Sequence, residues 1–339
     1  MAAPVLAAGS NRMPSVSRPM AITAWAGKTD ARSVGANRPV VVSADLVYLP
    51  RRVSRSQFLE VRGLRYHVRL WGETGAPKVF LLHGWMDVSA SFQFLVDALS
   101  RDWQLIAPDW RGFGLSAWAR EGYWFADYLA DLEVLLDHFA PGERVDLVGH
   151  SMGGNVACLY AGVRPERMRR VASLEGFGTP EGDPARAPQK FADWLDALQA
   201  PPEFKPYPNL AAVADRLQKS NPRLPRERAL FLAGHWAHEG ADGARLRSDP
   251  RHKAPFPSVY RLAEMFACWR RIVAPVLWVD APESFVPQWL ADGAEGFARR
   301  KAQIPHLRHE TIDAAGHMLH LDQPERVAAV VEDFLLRDA

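Results

Sequence analysis

The stretch VDLVGHSMGGNVACLYAG, Val145 to Gly162, constrains the fold more than any other part of this chain. An apolar run of strand length passes directly into Gly-His-Ser-Met-Gly-Gly and then into GGNVACLYAGV, which reads as a helix. Gly149 and Gly153, two residues either side of Ser151, leave room for strand and helix to cross closely. A turn this tight forces Ser151 into a strained backbone conformation and lifts its Oγ above the sheet. The following helix starts at the serine, so its free N–H groups and positive dipole end face any developing negative charge. The N–H of Met152 is then an oxyanion donor, and Ser151 is a candidate nucleophile. The rival reading is a structural Gly-rich turn, and the rest of the chain decides between them.

The strand and helix signals alternate on both sides of this stretch. QFLEVRGLRYHVRLWG alternates apolar and polar residues around Arg62-Gly63, as a half-exposed hairpin does. Buried strands follow at Lys78–Gly84, Trp103–Trp110, Val145–His150 and Val171–Phe177, with helices at Ser91–Ser100, Phe125–Phe139 and after Ser151. This pace means parallel βαβ units in a mixed sheet. The pattern stops near Thr179 and resumes at PVLWVDA, Pro275–Ala281, with a helix around Gln288–Lys301, a strand at His306–Asp313 and a helix from Pro324. Between them, residues 180–259 are proline-rich and carry short amphipathic pieces without a convincing buried strand. They read as a helical insertion over the C-terminal ends of the strands, where α/β sheets bind ligands.

Composition narrows the function. The formal charge is only +2, which gives no nucleic-acid surface. Cys158 and Cys268 are too few for a disulfide framework and lack metal-ligand spacing, so they read as small buried hydrophobes in a cytoplasmic protein. No apolar run has the length of a membrane span. Residues 1–52 are rich in Ala, Ser, Arg and Pro with Asp30 and Asp45 as their acids, and read as a disordered tail. The organisation expected is therefore a tail at 1–52, a core at 53–179, a helical cap at 180–259 and the rest of the core at 260–339.

A serine nucleophile needs a base, and the base needs an orienting acid; where the serine sits on such a strand–turn–helix elbow, the chain order is Ser, acid, His. DAAGHMLHLDQPERVA, after the last strand, offers two histidines. His317, in the loop directly after the strand, is the expected base; His320, nearer the helix start, is expected to pack or cap.

HGW at 83–85, PDWRGFGLS at 108–116, GHSMGG at 149–154 and GHMLHLDQPE at 316–325 together resemble the α/β-hydrolase superfamily, in particular its serine-hydrolase-like and epoxide-hydrolase-like branch with a helical cap. The match covers roughly residues 57–180 and 260–337. The resemblance implies a mostly parallel eight-stranded sheet flanked by helices. It makes the N–H of Trp85 the second oxyanion donor and Asp109, Arg111 and Gly112 a structural turn. The superfamily usually sets the acid after the seventh strand, four residues before a proline. Here VDAPESFVP puts Glu283 in that place, without the usual Gly-x-x-Asp. Glu175, at the end of the sixth strand, and Asp280 remain alternatives.

The expectation is a serine hydrolase acting through an acyl-enzyme on carboxylic esters of small or medium apolar acyl groups, with no metal or organic cofactor. Ser151 stands where epoxide hydrolases and haloalkane dehalogenases of the superfamily carry an aspartate, which sets those activities aside. A carbon–carbon bond hydrolase, a cofactor-free perhydrolase and a non-enzymatic ligand receptor are the rivals. The expected partner is a small molecule with an acyl group. Trp85, Trp110 and Trp278, at strand ends, are candidate pocket-lining residues.

Overall fold

Arg62 and Gly63 both take positive φ, 50° and 77°, as a two-residue hairpin turn requires. They join β1 (Arg55–Val61) to β2 (Leu64–Trp71) in antiparallel register, Arg55 opposite Leu70 and Val61 opposite Leu64. The computed structural model describes residues 48–258 and 261–337. Most of the expected tail therefore lies outside the described residues. Its last five residues are tied down instead. The Tyr48 hydroxyl and the N–H groups of Arg51 and Arg52 donate to the Asp97 carboxylate at 2.6, 3.0 and 2.7 Å. A buried carboxylate needs such donors, and here they come from the segment that composition alone assigns to a tail.

The remaining strands are β3 (Lys78–Leu82), β4 (Gln104–Pro108), β5 (Val145–His150), β6 (Met168–Leu174), β7 (Ala237–Gly240), β8 (Gly243–Leu246), β9 (Val276–Asp280) and β10 (Leu307–Thr311). Eight of them form one sheet in the order β1-β2-β4-β3-β5-β6-β9-β10. β2 runs antiparallel to both neighbours, and all pairings from β4 to β10 are parallel. The helices are α1 (Gln93–Ala98), α2 (Phe125–Phe139), α3 (Met152–Val163), α4 (Ala187–Gln199), α5 (Leu210–Ser220), α6 (Arg226–Trp236), α7 (Leu262–Trp269), α8 (Val286–Leu290), α9 (Gly293–Lys301), α10 (Leu319–Asp322) and α11 (Pro324–Leu336).

Strand alternation divides the apolar residues between two cores. Phe80, Leu82, Ile106, Leu147 and Trp278 face one cluster with residues of α2, α3 and α7. Val79, Leu81, Leu105, Val148, Leu277 and Val279 face the other, with α1 and α11. Both sheet faces are covered, so the strands read as continuous apolar runs rather than alternating ones. Trp110 and Trp278 belong to the first cluster and are fully buried, which corrects the expectation that they line a pocket. Cys158 is buried there too, and burial pushes its thiol up to about 11.

Two local expectations need revision. The helix expected over Gln288–Lys301 is two helices, because Ala291 takes φ 57° and breaks the run between α8 and α9. The segment between β6 and β9 carries α4, α5 and α6 as expected, and also the small hairpin β7–β8. That hairpin is too short and too exposed to leave an apolar strand signature. A third apolar cluster seats this segment, joining Val213, Leu217, Leu224, Leu232 and Ala244 to Phe94 and Leu321.

α3 crosses α7 so closely that a Cβ on Gly162 would lie 2.0 Å from the Cys268 carbonyl oxygen, whereas a Cβ on Gly234 in α6 meets nothing within 4 Å. Gly162→Ala is expected to destabilise the fold by about 1–3 kcal/mol through overpacking. Gly234→Ala is expected to stabilise it by about 0.5–1 kcal/mol through helix propensity. Urea denaturation of both variants checks the pair; equal effects would mean that α7 yields to the added methyl.

Candidate active site

β5 ends at His150 and α3 begins at Met152, so Ser151 alone makes the turn, with φ 52° and ψ −115°. The glycines permit it by removing side chains where backbone meets backbone. A Cβ on Gly149 would lie 2.3 Å from the Gly153 carbonyl oxygen, and one on Gly153 would lie 2.0 Å from that of Leu82 in β3. The turn is pinned from both sides: Ser151 N–H donates to Leu174 O at 2.8 Å, and Asn155 N–H donates to Ser151 O at 3.0 Å. Positive φ at non-glycine residues recurs around this point, at Met86, Glu175 and Ala314. Backbone strain held by surrounding structure is concentrated where side chains must be aimed.

Nε2 of His317 lies 3.0 Å from Ser151 Oγ, and its Nδ1 lies 3.2 Å from Glu175 Oε2. The His317 side chain is 17% exposed and that of Glu175 is wholly buried. Glu175 follows the last residue of β6, and its Oε1 accepts the Ala281 N–H at 2.8 Å. Its Oε2 also accepts the Ser284 hydroxyl. These donors satisfy a carboxylate that would otherwise be costly to bury.

Glu283, the carboxylate expected to orient His317, lies elsewhere. Its side chain is 55% exposed and pairs with Arg223, so it faces the inserted segment and not His317. Asp280 is engaged elsewhere, accepting from His309 Nε2 at 2.8 Å and Thr311 Oγ1 at 2.6 Å. The loop after β9 thus supplies hydrogen-bond donors to the carboxylate just after β6. Ser284, one of those donors, was not singled out in the sequence, although it adjoins Glu283.

Gly84 and Trp85 follow β3 and lie against the turn. A Cβ on Gly84 would lie 3.2 Å from Ser151 Cβ. His83 staples this loop: its Nδ1–H donates to Gly84 O at 2.7 Å, and its Nε2 accepts the Trp110 N–H at 2.9 Å. Met152 is the first residue of α3, where N–H groups have no partner within the helix. Two cavities share Trp85 as a lining residue. One, of about 570 Å³, is lined by Ser151, His317, Phe204, Tyr207, Trp236 and Phe285. The other, of about 440 Å³, is lined by Met152, Trp124, Phe125, Trp194 and Phe256. Trp85 lines both, and Trp194 and Trp236 of the inserted segment line one each.

Asp109 and Arg111 are structural, in agreement with their expected role. Burial would raise the Asp109 carboxyl, but hydrogen bonds and charge from His67, with the His83 charge and the Leu115 N–H, hold it well below the usual carboxylate range. Arg111 donates to Asp131 through Nε and Nη2, both at 2.6 Å. Burial pushes Asp87 up to about 7 against hydrogen bonds from Ser91, Val88 and Trp236. His320 neither caps a helix nor finds a hydrogen-bond partner; it is buried against Phe92 and His150.

Residues 77–324 match the profile of the alpha/beta hydrolase fold family, and the chain belongs to that family. A "Serine hydrolase-like protein" of Danio rerio is 27% identical over 295 residues, covering 81% of this chain and 85% of that one. A "3-hydroxybutyrate-oligomer hydrolase" of Cupriavidus necator is 27% identical over 285 residues, covering 80% and 92%. Among solved structures, the thioesterase domain from the curacin biosynthetic pathway superposes with a TM-score of 0.74 at 23% identity, covering 83% of this chain and 99% of that one. The protein is an enzyme of the hydrolase class. Among the described residues no helix is long and apolar enough to cross a membrane.

Burial lowers five histidines below their usual value of about 6.5, His83 and His235 to about 4, His252 and His320 to about 3, and His150 well below it. Between those values and 6.5 the unfolded chain binds more protons than the native one, so stability rises with pH. The contribution is full above pH 6.5 and is lost as pH falls toward 4. Asp87, raised to about 7, has the opposite slope between its unfolded value and 7 and offsets part of the loss. At pH 5 the net loss relative to pH 7.5 is expected to be on the order of 5 kcal/mol. Tm measured from pH 8 to pH 4.5 checks this, and a flat profile would mean that these histidines titrate as if exposed.

Proposed function

We propose that this hydrolase is a serine hydrolase that cleaves carboxylic esters of small or medium apolar acyl groups through an acyl-enzyme. The observation that carries the reading is the hydrogen-bonded chain from Ser151 Oγ through both ring nitrogens of His317 to the buried Glu175 carboxylate. Ser151 attacks the ester carbonyl carbon while His317 Nε2 takes its proton. Glu175, accepting from Nδ1–H, holds the imidazole in the tautomer whose Nε2 is free and stabilises the imidazolium that forms. The N–H groups of Met152 and Trp85 receive the oxyanion, in the field of the α3 N-terminus. His317 then returns the proton to the leaving alcohol. Water deprotonated by His317 attacks the acyl-enzyme, and Ser151 is released with the carboxylic acid.

Aromatic and apolar side chains around Ser151 support an apolar acyl group. Two similar proteins carry names of the same chemical class, serine hydrolase-like protein and 3-hydroxybutyrate-oligomer hydrolase.

A fluorophosphonate probe is expected to label the native protein but neither Ser151→Ala nor His317→Ala, and no labelling of folded native protein would defeat the reading. In hydrolysis of p-nitrophenyl esters of graded acyl length, Ser151→Ala should lower kcat by about 10⁶.

Glu175→Gln and Glu283→Gln separate the two candidate acids. Glu175→Gln is expected to lower kcat by about 10²–10⁴ because the wrong tautomer is favoured, while Glu283→Gln stays within a few-fold of native. The reverse order would return the acid to Glu283.

A further inference from the structure

Beside the Ser151–His317 pair stands a second group of side chains that ester hydrolysis does not use. Asp87, His150 and His320 each bring one ligand-capable atom to within 4.8 Å of the others. All three residues are buried, with exposures of 3%, 2% and 0%. Of the five buried side-chain nitrogen or oxygen atoms without a hydrogen-bond partner among the described residues, three belong here: Nδ1 of His150 and both ring nitrogens of His320. Buried polar atoms are almost always satisfied, so three orphans at one point mark a missing partner.

The chemistry of the donors specifies that partner. Nε2 of His150 lies 2.8 Å from the carbonyl oxygen of His317. A carbonyl only accepts, so Nε2 carries the proton and Nδ1 keeps its lone pair. An imidazole oriented by an N–H···O=C bond, with the other nitrogen free, is how metal-ligating histidines are held. Two imidazoles, one of them oriented in this way, and a carboxylate form a nitrogen-rich donor set that suits zinc and its late first-row neighbours rather than magnesium or calcium. The donors of a tetrahedral zinc site lie about 3.3 Å apart. Closing the present spacing to that value takes a shift of roughly an ångström or more. His320 has no hydrogen bond to break in making it. Asp87 and His150 also line the larger cavity, which gives an ion a path toward the cluster.

We infer that Asp87, His150 and His320 form a binding site for a zinc-class divalent cation whose occupation inhibits the hydrolase. The inhibitory part rests on the proposed role of His317; the binding part does not. The His150 and His317 rings are 4.9 Å apart between centroids, and His150 holds the His317 main chain. A dication on His150 opposes the positive charge that His317 must acquire when it takes the Ser151 proton. The site is thus an inhibitory one, distinct from any metal needed for the reaction.

The test uses full-length protein freed of metal with a chelator and titrated with Co²⁺, then Zn²⁺. It is followed by visible absorption and by calorimetry, in native protein, His320→Phe and Asp87→Asn, with Tm confirming that each folds. One ion per chain, a four-coordinate cobalt spectrum displaced by zinc, and at least tenfold weaker binding in both variants are expected. No uptake by folded native protein, or equal uptake in both variants, overturns the site. So does a crystal grown with zinc that shows only water between the two histidines. The ratio of ester hydrolysis with and without zinc is expected to fall at least tenfold in native protein and to recover with chelator and in His320→Phe. Uptake without that fall overturns the inhibition. A protein that binds zinc but hydrolyses no ester in any form retains the site while the esterase reading fails.

Discussion

The close crossing of three backbones at the start of α3 governs everything else in the site. With hydrogen in place of Cβ at Gly149 and Gly153, the first turn of α3 lies directly on the ends of β5 and β3. That contact leaves Ser151 no room in an ordinary helical or extended conformation, and its positive φ is the result. The same contact brings the loop after β3 alongside the turn, so that Trp85 and the free N–H of Met152 flank one point above the sheet. Strain of about 1–3 kcal/mol at such a residue persists only where its neighbours over-determine it. Here the backbone bonds to Leu174 and Asn155 and the packing of α3 between β3 and α7 do so.

Buried charge is handled consistently around this crossing. Asp109, Asp131 and Glu175 are each met by fixed donors: His67 and the Leu115 N–H, Arg111 and Tyr66, Ala281 N–H and Ser284. Each carboxylate joins strands or loops distant in sequence, and each is bonded in more than one direction. These groups set orientation rather than contribute large net stability, because their desolvation offsets most of the attraction. The His150–His320 pair departs from the pattern, since Nδ1 of His150 and both ring nitrogens of His320 have no partner among the described residues.

Much of this architecture was readable in advance where the signal is local. The alternation of strand and helix, the hairpin at Arg62-Gly63 and the turn at Ser151 are each written within a few residues. His317 was legible because it follows the last strand within a short loop. The third group was not, because the position of a carboxylate depends on packing between strands. Glu175 stands just after β6, and the atoms that orient it stand some hundred residues later, after β9. The spacing rule that selected Glu283 pointed to the loop whose Ala281 N–H and Ser284 hydroxyl meet the Glu175 carboxylate, while Glu283 itself pairs with Arg223. Trp110 and Trp278 were misread for a related reason: a place at a strand end does not say which way the ring turns. The break at Ala291 lacks the glycine that usually announces a left-handed residue.

The carboxylate of Asp322 faces two ways. One oxygen accepts from Asn221 of the inserted segment at 2.6 Å, and the other accepts the Gly316 N–H at 2.9 Å, one residue before His317. The loop that aims the imidazole is therefore braced by the same side chain that anchors the inserted segment. Nearby, the Arg223–Glu283 pair makes a second tie between that segment and the loop after β9, exposed enough to be weakened by salt. Displacing the segment costs the Asn221 bond to Asp322 and leaves that carboxylate held by the Gly316 N–H, so the loop before His317 and the inserted segment share one anchor.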